Sequence, residues 1–336
     1  MHEWVGKVVV ITGASAGIGR ATAVALAHRQ ALVIVAARRP EELEETARRC
    51  RAAGGRARAV VTDVTREEEV RALASAALEH GRIDVWINNA GVTLFAPLEE
   101  GPFEEHRRVL ETNLIGSIFG ARVVIPIFRR QRHGVLINVG SILSQMGQPF
   151  VPSYVISKFG VRGLTEALRV EMADEPDIHV CTFMPYAVET QHFEAGANRV
   201  GKQARPMPPV QSPEKIAAAL VRLAARPRRE RRVPYAAVAV LALHAVFPRV
   251  VERLLLRALT AWHFSDTPER ATSGNLFRAP KEPGATHGRR APLLGSLAFA
   301  VWTLRELGRM GAEAVAGERR EPSHDTERLR SDPSKR

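Results

Sequence analysis

A glycine-rich segment between an apolar run and an alanine-rich run constrains the fold of this chain more than any other feature. Residues 7–12 (KVVVIT) are mostly β-branched and predict a buried parallel strand. Residues 12–19 (TGASAGIG) follow at once, and residues 20–29 have helical, alanine-rich character. A strand, a glycine turn and a helix in this order can hold a pyrophosphate at the N-terminus of the helix. The pattern therefore predicts a dinucleotide-binding loop.

Three glycines of this loop have separate roles in such a site. Gly13 permits a tight turn, Gly17 lets the backbone approach a phosphate, and Gly19 lets the helix and the strand pack closely. The spacing is G-x-x-x-G-x-G, whereas the best-known dinucleotide loops have G-x-G-x-x-G. The glycines alone would also suit an ordinary loop, so the prediction depends on the flanking strand and helix.

The end of the second predicted strand indicates which dinucleotide binds. Residues 31–37 (ALVIVAA) predict this strand, at whose end NAD-binding sites usually carry an acidic residue for the ribose 2′-hydroxyl. Arg38 and Arg39 stand there instead. A carboxylate would repel a 2′-phosphate, whereas a guanidinium can bind one in a fork. We therefore predict that NADP(H) is preferred over NAD(H). The alternative is a solvated arginine pair that opens the next helix.

Predicted strands and helices alternate through the first two-thirds of the chain. Further strands are predicted at residues 56–61, 83–87, 134–139 and 178–184, with helical segments between them. Regular alternation with short connections predicts an α/β fold, with a Rossmann-like doubly wound parallel sheet flanked by helices. Asp63 follows the third strand, where it could contact an adenine amino group or act as a turn or N-cap residue.

Tyr154 and Lys158 are candidates for acid–base chemistry because residues four apart lie on the same face of a helix. A free tyrosine has a pKa near ~10, and lowering it by roughly 2–3 units needs about 3–4 kcal/mol. One unit charge at ~4 Å in an effective dielectric of ~20 supplies about 4 kcal/mol. Lys158 alone could therefore make Tyr154 a working acid or base. An ordinary pair of surface neighbours is the alternative.

Two further polar residues occupy informative positions. Ser141 follows the predicted strand 134–139, at the carboxyl edge of the sheet where ligand crevices form in α/β folds. Asn113 lies inside a long predicted helix at 104–128, where an asparagine is mildly unfavourable. Its presence there requires that the side chain have a partner.

Taken together, these residues resemble the motifs of the short-chain dehydrogenases/reductases. The resemblance covers residues 6–225 and consists, in that family's order, of Thr12-Gly13-x-x-x-Gly17-x-Gly19, Asn88-Asn89-Ala90-Gly91, Asn113, Ser141 and Tyr154-x-x-x-Lys158. It implies an NAD(P)-dependent oxidoreductase that interconverts a carbonyl and an alcohol. It also implies a homodimer or homotetramer formed through the helices that carry Asn113 and Tyr154.

The resemblance assigns a role to each catalytic residue. Tyr154 would exchange a proton with the substrate oxygen, which Ser141 would polarise. Lys158 would lower the Tyr154 pKa and hold the nicotinamide ribose, and Asn113 would hold a water linking Lys158 to solvent. No metal is implied. The residues assigned to the cofactor are Gly13, Ser15, Gly17, Ile18, Gly19, Arg38, Asp63, Val64, Asn89, Ala90, Gly91, Tyr154, Lys158, Pro185, Val188 and Thr190.

The segment that should select the substrate is mixed and apolar. Residues 187–212 are predicted to form a lid, and Tyr186 stands where the family usually has a glycine. The expected pocket side chains are Ile142, Leu143, Met146, Phe150, Phe193 and Met207. They suggest a fairly apolar substrate, such as a steroid, a retinoid, a fatty acyl group or an aromatic ketone. Simple packing of the lid is the alternative.

Composition excludes some classes of protein. The two cysteines, Cys50 and Cys181, argue against a disulfide framework, and we expect a cytoplasmic protein without a signal peptide. The net charge is +12, but residues 226–336 hold 21 Lys/Arg against 12 Asp/Glu and so contribute +9 of it. Because the excess lies in the tail and no aromatic-interleaved basic module is present, we do not expect nucleic acid as a partner.

The chain beyond the catalytic region is predicted to be an extension of apolar and amphipathic helices. A last core strand is expected near residues 233–240. Basic residues beside apolar helices are typical of a peripheral membrane anchor; the alternatives are packing on the enzyme or on a dimer partner, or a true membrane span. The predicted divisions are a catalytic domain (1–232), a helical extension (233–262), a disordered linker (263–290), an amphipathic helix (291–316) and a disordered tail (317–336).

A non-catalytic dinucleotide sensor or scaffold on the same fold is the alternative function. Ser141, Tyr154 and Lys158 argue against it, because a sensor would not need an acid–base pair. We therefore expect an enzyme.

Overall fold

A computed structural model of the chain describes residues 3–234, 236–279 and 283–315. Its strands are β1 (Val8–Thr12), β2 (Leu32–Ala37), β3 (Arg56–Val61), β4 (Val85–Asn88), β5 (Leu94–Phe95), β6 (Gly134–Val139), β7 (Ile178–Pro185), β8 (Ala197–Asn198), β9 (Lys202–Ala204), β10 (Glu230–Val233) and β11 (Phe264–Pro268). Seven of them form one parallel sheet in the order β10-β7-β6-β4-β1-β2-β3. This confirms the predicted doubly wound sheet.

Helices cover both faces of the sheet. They are α1 (Gly17–Ala27), α2 (Pro40–Ala52), α3 (Glu67–Leu78), α4 (Phe103–Leu110), α5 (Gly116–Gln131), α6 (Pro152–Glu171), α7 (His192–Ala195), α8 (Pro213–Ala225), α9 (Ala236–Val246), α10 (Pro248–Trp262) and α11 (Ser296–Val315). Because successive side chains of a strand point to opposite faces, β1 contributes Val9 and Ile11 to one core, and Val8 and Val10 to the other. The first core includes residues of α1, α2 and α8, and the second includes residues of α3 and α5.

The predicted long helix at 104–128 is interrupted. One turn of π-helix, Glu111–Ile115, joins α4 to α5 and contains Asn113. The combined stretch Phe103–Gln131 is long and apolar enough to cross a membrane, but 56% of its apolar window is buried within the fold. Since it also packs on the sheet, we interpret it as a core helix.

The last strand of the sheet begins earlier than predicted. β10 ends at Val233 and pairs in parallel with β7, whereas residues 233–240 were expected to form the strand. α9 begins at Ala236, since the apolar, alanine-rich residues that follow β10 continue as a helix. α9, α10 and α11 form what we call the helical arm, in which α10 contacts both other helices. The arm packs on the catalytic region through residues such as Val251, Leu255 and Leu259.

Residues 263–290 differ from the predicted disordered linker. We call residues 264–290 the strap, of which 264–279 and 283–290 are described. β11 pairs antiparallel with β9, and Leu276 is fully buried among apolar side chains near β5. The composition suggested disorder, but these contacts to distant parts of the chain hold the segment in place. The predicted tail at 317–336 lies outside the described residues.

Candidate active site

The carboxyl ends of the parallel strands open into a cavity of about 530 Å³. The predicted site residues that line it are Gly13, Ser15, Gly17, Ile18, Gly19, Arg38, Asp63, Val64, Asn89, Ala90, Gly91, Ser141, Tyr154, Pro185, Val188 and Thr190. Asn113 and Lys158 lie behind this wall. A Cβ added to Gly91 would be 3.5 Å from Asn113 Oδ1 and 3.8 Å from Lys158 Nζ. The structure thus brings all the predicted site residues to one place.

The glycine loop forms a cradle that side chains would fill. Gly13 has φ +67°, and a Cβ there would lie 2.7 Å from the Cα of Ala90. A Cβ on Gly19 would lie 2.3 Å from the carbonyl oxygen of Gly13. Asn89 donates from its side-chain amide to the carbonyl of Thr12 at 2.9 Å and so fixes the loop against β4. A helix N-terminus without side chains suits a pyrophosphate, so these residues fit a bound dinucleotide once the carbonyl of Ala285, which accepts from the N–H of Gly17 at 3.0 Å, moves away.

The end of β2 is more crowded than its sequence suggests. Arg38 donates to the backbone carbonyls of Asn275 and Leu276, at 2.6 and 3.0 Å. Burial lowers the pKa of Arg38, and the negative charge of Asp63 partly opposes this effect. Asp63 itself is held by Thr65 and by an ion pair of 3.0 Å with Arg108. The strap therefore reaches the subsite where a ribose 2′-substituent is expected.

Tyr154 faces the cavity from α6, and Lys158 follows it by one turn. The Lys158 ammonium lies 5.4 Å from the centre of the Tyr154 ring and donates to the carbonyl of Val139 at 2.8 Å. Burial raises the pKa of Tyr154 to about 12, and a side-chain hydrogen bond with Ser141 opposes this only in part. Burial also lowers the pKa of Lys158 to about 8.

These pKa values differ from the expectation that Lys158 lowers the pKa of Tyr154. The ammonium lies over the face of the ring and donates to Val139, and its attraction for a phenolate is smaller than the cost of burying that phenolate. Loss of hydration then dominates the pKa of Tyr154. Tyr154 is therefore a protonated phenol at neutral pH in this structure.

The π-helical turn explains why an asparagine lies in mid-helix. Asn113 is fully buried, and its Oδ1 accepts from the backbone N–H of Val92 at 2.8 Å. Its Nδ2 donates to the carbonyl of Val92 and to Ser157 Oγ, both at 3.0 Å. Ser157 in turn donates to the carbonyl of Tyr154 at 2.7 Å. The asparagine thus joins the loop after β4 to the helix that carries Tyr154.

The sequence model of the family described as short chain dehydrogenase matches residues 7–199, which is more than half of the chain. This match covers the glycine loop, Asn113, Ser141, Tyr154 and Lys158. The chain belongs to the short-chain dehydrogenase/reductase family. It is an NAD(P)-dependent oxidoreductase that acts on CH–OH groups, which confirms the reaction class expected from the sequence.

Two relatives show how much of the chain is similar to known proteins. An uncharacterized oxidoreductase, YxnA, of Bacillus subtilis is 34% identical over 266 residues, which cover 78% of this chain and 75% of the relative. The 3beta-hydroxysteroid dehydrogenase 1 of Eggerthella lenta is 37% identical over 227 residues, covering 65% of this chain and 87% of the relative.

Solved structures of the family bind either nicotinamide dinucleotide. A short-chain dehydrogenase/reductase from Burkholderia phymatum in complex with NAD has a TM-score of 0.67 at 28% identity, and covers 74% of this chain and 96% of its own. An alcohol dehydrogenase from the archaeon Thermococcus sibiricus, complexed with 5-hydroxy-NADP, has a TM-score of 0.59 at 30% identity, with 68% and 95% covered.

In this short-chain dehydrogenase/reductase the substrate end of the cavity is mostly apolar. The predicted pocket residues Ile142, Leu143, Met146, Phe193 and Met207 line it, whereas Phe150 packs in the neighbouring core. Tyr186 also lines it and donates to the carbonyl of Pro208 at 3.3 Å. Among the described residues, no group of three or more His, Cys, Asp or Glu side chains could hold a metal ion.

Several residues of the site were missed by the sequence analysis. Helices α10 and α11 extend the apolar wall, and the missed residues that line the cavity include Phe95, Leu254, Leu255, Leu259, His263, Asn275 and Phe299. The sequence predicts an extension of apolar and amphipathic helices at residues 233–262, but such a pattern does not say what the apolar faces cover. These residues become part of the site only through the tertiary fold.

Proposed function

We propose that this enzyme is an NADP(H)-preferring oxidoreductase that interconverts a carbonyl and an alcohol on a fairly apolar substrate, with Tyr154 as the general acid–base. The observation that carries the proposal is the position of Tyr154 and Ser141 where the dinucleotide cleft meets an apolar cavity. A single continuous cavity can hold both reactants, and positioning of reactants is a large part of enzymatic rate enhancement.

The nicotinamide, when bound, supplies or accepts the hydride. In the reducing direction, the protonated Tyr154 hydroxyl donates its proton to the substrate oxygen. The Ser141 hydroxyl hydrogen-bonds the same oxygen; its Oγ is fixed near Tyr154 because it caps the short helical turn at Ile142–Ser144. The raised pKa of Tyr154 suits this step, since the phenol is protonated when the substrate arrives. In the oxidising direction the Tyr154 phenolate accepts the proton of the alcohol.

Lys158 stabilises the phenolate that forms when Tyr154 gives up its proton. Its ammonium is one helical turn away, and the low dielectric of a buried site strengthens this attraction. We propose that it also holds the nicotinamide ribose. Asn113 fixes the loop at Gly91 and Val92 against α6, and so holds Lys158 and Tyr154 in register with the cofactor cleft.

The preference for NADP(H) follows from Arg38. Its guanidinium has five N–H donors, of which the described contacts to Asn275 and Leu276 use two. A 2′-phosphate would offset the cost of burying this cation, whereas a 2′-hydroxyl would not. Asp63 is paired with Arg108 and so offers little repulsion to the phosphate.

The cofactor preference is tested by titrating the protein with NADPH and with NADH while its own fluorescence is recorded. NADPH should bind at least tenfold more tightly, and Arg38→Leu should remove this difference chiefly by weakening NADPH. Arg48→Leu is the control, because Arg48 is on the outer face of α2 and 68% exposed. Equal affinities in the unmodified protein, or an Arg38→Leu variant that keeps the preference, would overturn the proposal.

The apolar substrate is supported by the wall that α10 and α11 add to the cavity. Leu254, Leu255 and Leu259 come from α10, and Phe299 comes from α11. A relative of this chain is a 3beta-hydroxysteroid dehydrogenase, which fits an apolar ring system. Steroid, retinoid, long-chain acyl and aromatic ketones should be reduced with NADPH. Reduction of small polar ketones alone would contradict this part of the proposal.

We also propose that the helical arm attaches the cytoplasmic enzyme to an anionic membrane surface. Several of its outward side chains are apolar: Leu243, Val246, Leu297, Leu304 and, between α9 and α10, Phe247 are 40 to 81% exposed. Arg249, Arg253 and Arg305 are exposed beside them. Exposed apolar side chains rimmed by arginines are typical of helices that lie in the headgroup region of a membrane. The family resemblance also suggests a homodimer or homotetramer, and we propose this separately from the membrane contact.

Sedimentation with vesicles tests the attachment. The protein should sediment with vesicles that contain anionic lipid and less with neutral vesicles. Replacement of Phe247, Leu297 and Leu304 by serine should abolish sedimentation. The matched control replaces Leu98, Phe103 and Val170, which are equally exposed but lie on the catalytic region. Vesicle binding that survives the arm substitutions would overturn the proposed membrane contact. Dissociation of a dimer by these substitutions would instead show that a second copy of the chain covers this surface.

A further inference from the structure

His263 is a buried histidine whose ring nitrogens have no partner. It follows α10, is 2% exposed and lines the cavity. Neither Nδ1 nor Nε2 makes a hydrogen bond within the described chain. Its backbone is fixed at both ends: the N–H donates to the carbonyl of Leu259 at 3.0 Å, and the carbonyl accepts from the N–H of Arg205 at 2.8 Å. The ring is therefore held in place while its polar atoms remain available.

The surroundings of this ring are aromatic. The ring centroid of His263 lies 5.6 Å from that of Phe95, 6.1 Å from that of Phe193 and 4.8 Å from that of Phe264. Burial lowers the pKa of His263 to about 4, and a weak interaction of the ring with the backbone of Arg205, too long or too bent to be a hydrogen bond, opposes this in part. The imidazole is thus neutral and offers one donor and one acceptor. A buried polar group without a partner is destabilising, so its presence in an apolar wall requires an explanation.

The position of His263 relative to Tyr154 indicates which part of a substrate it meets. The rings of Tyr154 and His192 are 5.6 Å apart, those of His192 and Phe193 are 5.6 Å apart, and His263 follows beyond Phe193. His263 is therefore connected to the acid–base group through the rings of His192 and Phe193. It also lies outside residues 7–199, the part that the family model matches.

We propose that His263 determines specificity by hydrogen-bonding a hydroxyl or carbonyl group of the substrate at the end remote from the reacting carbon. The proposal rests on the proposed function, since it extends the apolar substrate to an apolar body with a polar group at each end. A substrate without the second polar group would leave the imidazole unpartnered and would be disfavoured.

Matched pairs of ketones test this proposal. Each pair has one skeleton, either steroidal, linear or aromatic, with and without a hydroxyl at the far end from the ketone. Binding to the full chain is measured by calorimetry, and kcat/KM is measured with NADPH. On at least one skeleton the hydroxylated ketone should bind about tenfold more tightly. His263→Phe should bring this ratio close to one, and His263→Gln, which keeps a donor and an acceptor, should restore part of it.

The outcomes separate this proposal from the proposed function. His179→Phe is the control because His179 is exposed, and the ratio should stay as in the unmodified protein. No preference on any skeleton, or the same preference in His263→Phe, would overturn the role of His263. Ketones that bind without being reduced would overturn the proposed function, while the ratio of binding constants would still decide on His263.

A second, independent inference concerns the strap, which connects both sides of the cofactor cleft. On the glycine-loop side, Gly17 N–H donates to the carbonyl of Ala285 at 3.0 Å, and Arg20 donates to that of Gly284 at 2.6 Å. On the lid side, the Gln191 amide donates to the carbonyl of Pro283 at 3.1 Å and accepts from the N–H of Ala285 at 2.8 Å.

The strap borders the cavity and also uses one of the donors in its wall. Asn275 and Ala279 line the cavity together with Ser15, Gly17 and Thr190, while the carbonyl of Ala285 accepts from the N–H of Gly17. We infer that residues 275–279 and 283–285 of the strap form a clasp. They release the N–H of Gly17 when the dinucleotide enters, close over it, and must open again before it leaves. The contacts of Arg38 with Asn275 and Leu276 connect this clasp to the predicted 2′-phosphate subsite.

Stopped-flow fluorescence of NADPH dissociation tests the clasp. A Cβ on Gly284 would lie 2.8 Å from the carbonyl oxygen of Ser15, so Gly284→Ala should lift the strap and raise the dissociation rate about tenfold. Gln191→Ala, which removes the lid contacts, should act in the same direction. Gly295→Ala is the control, since a Cβ there meets no atom within 4 Å. Dissociation rates within twofold of the unmodified protein in both variants, or tighter binding without faster release, would overturn the clasp.

Discussion

The ammonium of Lys158 lies over the face of the Tyr154 ring, 5.4 Å from its centre, and donates to the carbonyl of Val139. The pair is thus arranged so that the lysine acts on the ring through space and is itself held by the end of β6. Both groups are buried away from water, and burial moves their pKa values towards the neutral form of each: up for the phenol and down for the ammonium.

The pH dependence of reduction should follow from the lowered pKa of Lys158. Below about pH 8 the lysine carries its charge and stabilises the phenolate that forms on proton donation. Above this pH it is neutral, so kcat for ketone reduction should fall. In Lys158→Arg the charge persists at all accessible pH values, and the decline near pH 8 should disappear even if kcat is lower throughout. If kcat of this variant still declined near pH 8, the decline would be due to the titration of a group other than Lys158.

Lys158 should also lower the stability of the protein without ligand. Its pKa falls from 10.5 to about 8, so the unfolded chain binds more protons between these values and the free energy of unfolding rises with pH in this window. This shift corresponds to about 3 kcal/mol of destabilisation at pH 7. The Lys158→Met substitution removes this destabilisation. It also leaves the Val139 carbonyl without its hydrogen-bond donor, which costs about 1–3 kcal/mol.

We therefore expect Lys158→Met to be more stable than the unmodified protein by on the order of 1 kcal/mol at pH 7, and to be inactive. The gain should shrink as the pH rises above 8. Urea denaturation at pH 7 and pH 9 measures both effects. A variant that is less stable at pH 7, or a gain that grows with pH, would show that burial of the charge is not the main effect.

Tyr154→Phe separates chemistry from binding. Loss of the hydroxyl should reduce turnover by about 10²–10⁴-fold, which is the usual contribution of a general acid, while NADPH still binds. Tyr186→Phe is the matched control: its hydroxyl lines the same cavity but donates to Pro208, so the loss should be below tenfold. Single-turnover kinetics and NADPH titration of both variants measure this. Normal turnover in Tyr154→Phe would show that Tyr154 is not the general acid of the reaction.

The parts of the site that could be predicted from the sequence are those whose geometry is local. The glycines at 13, 17 and 19 lie within one turn, and Tyr154 and Lys158 lie on one helix, so residue type and spacing were sufficient. Asn113 was recognised as unusual for a helix, but the π-helical turn that accommodates it was not predicted, because such a turn depends on the partners Val92 and Ser157.

The parts that could not be predicted depend on contacts across long stretches of chain. Ala285 meets Gly17, and Leu276 meets Arg38, although more than 200 residues separate each pair. The strap is rich in Pro, Gly and Ser, which suggested disorder, and it is ordered by hydrogen bonds to the lid and the glycine loop. His263 likewise gained its place in the cavity from the packing of α10 and not from any motif.

Asn113 should contribute to stability more than its neighbour Thr112, although both are buried polar residues of the π-helical turn. Asn113→Ala would leave the N–H and the carbonyl of Val92 and the hydroxyl of Ser157 short of a partner, and should cost about 2–4 kcal/mol of unfolding free energy. Thr112 Oγ1 has no hydrogen-bond partner in the described chain, so Thr112→Ala should cost less than about 1 kcal/mol. Urea denaturation of both variants gives the comparison. Equal losses would mean that the three hydrogen bonds of Asn113 do not hold the loop after β4 against α6, and the positioning role assigned to it would then fail.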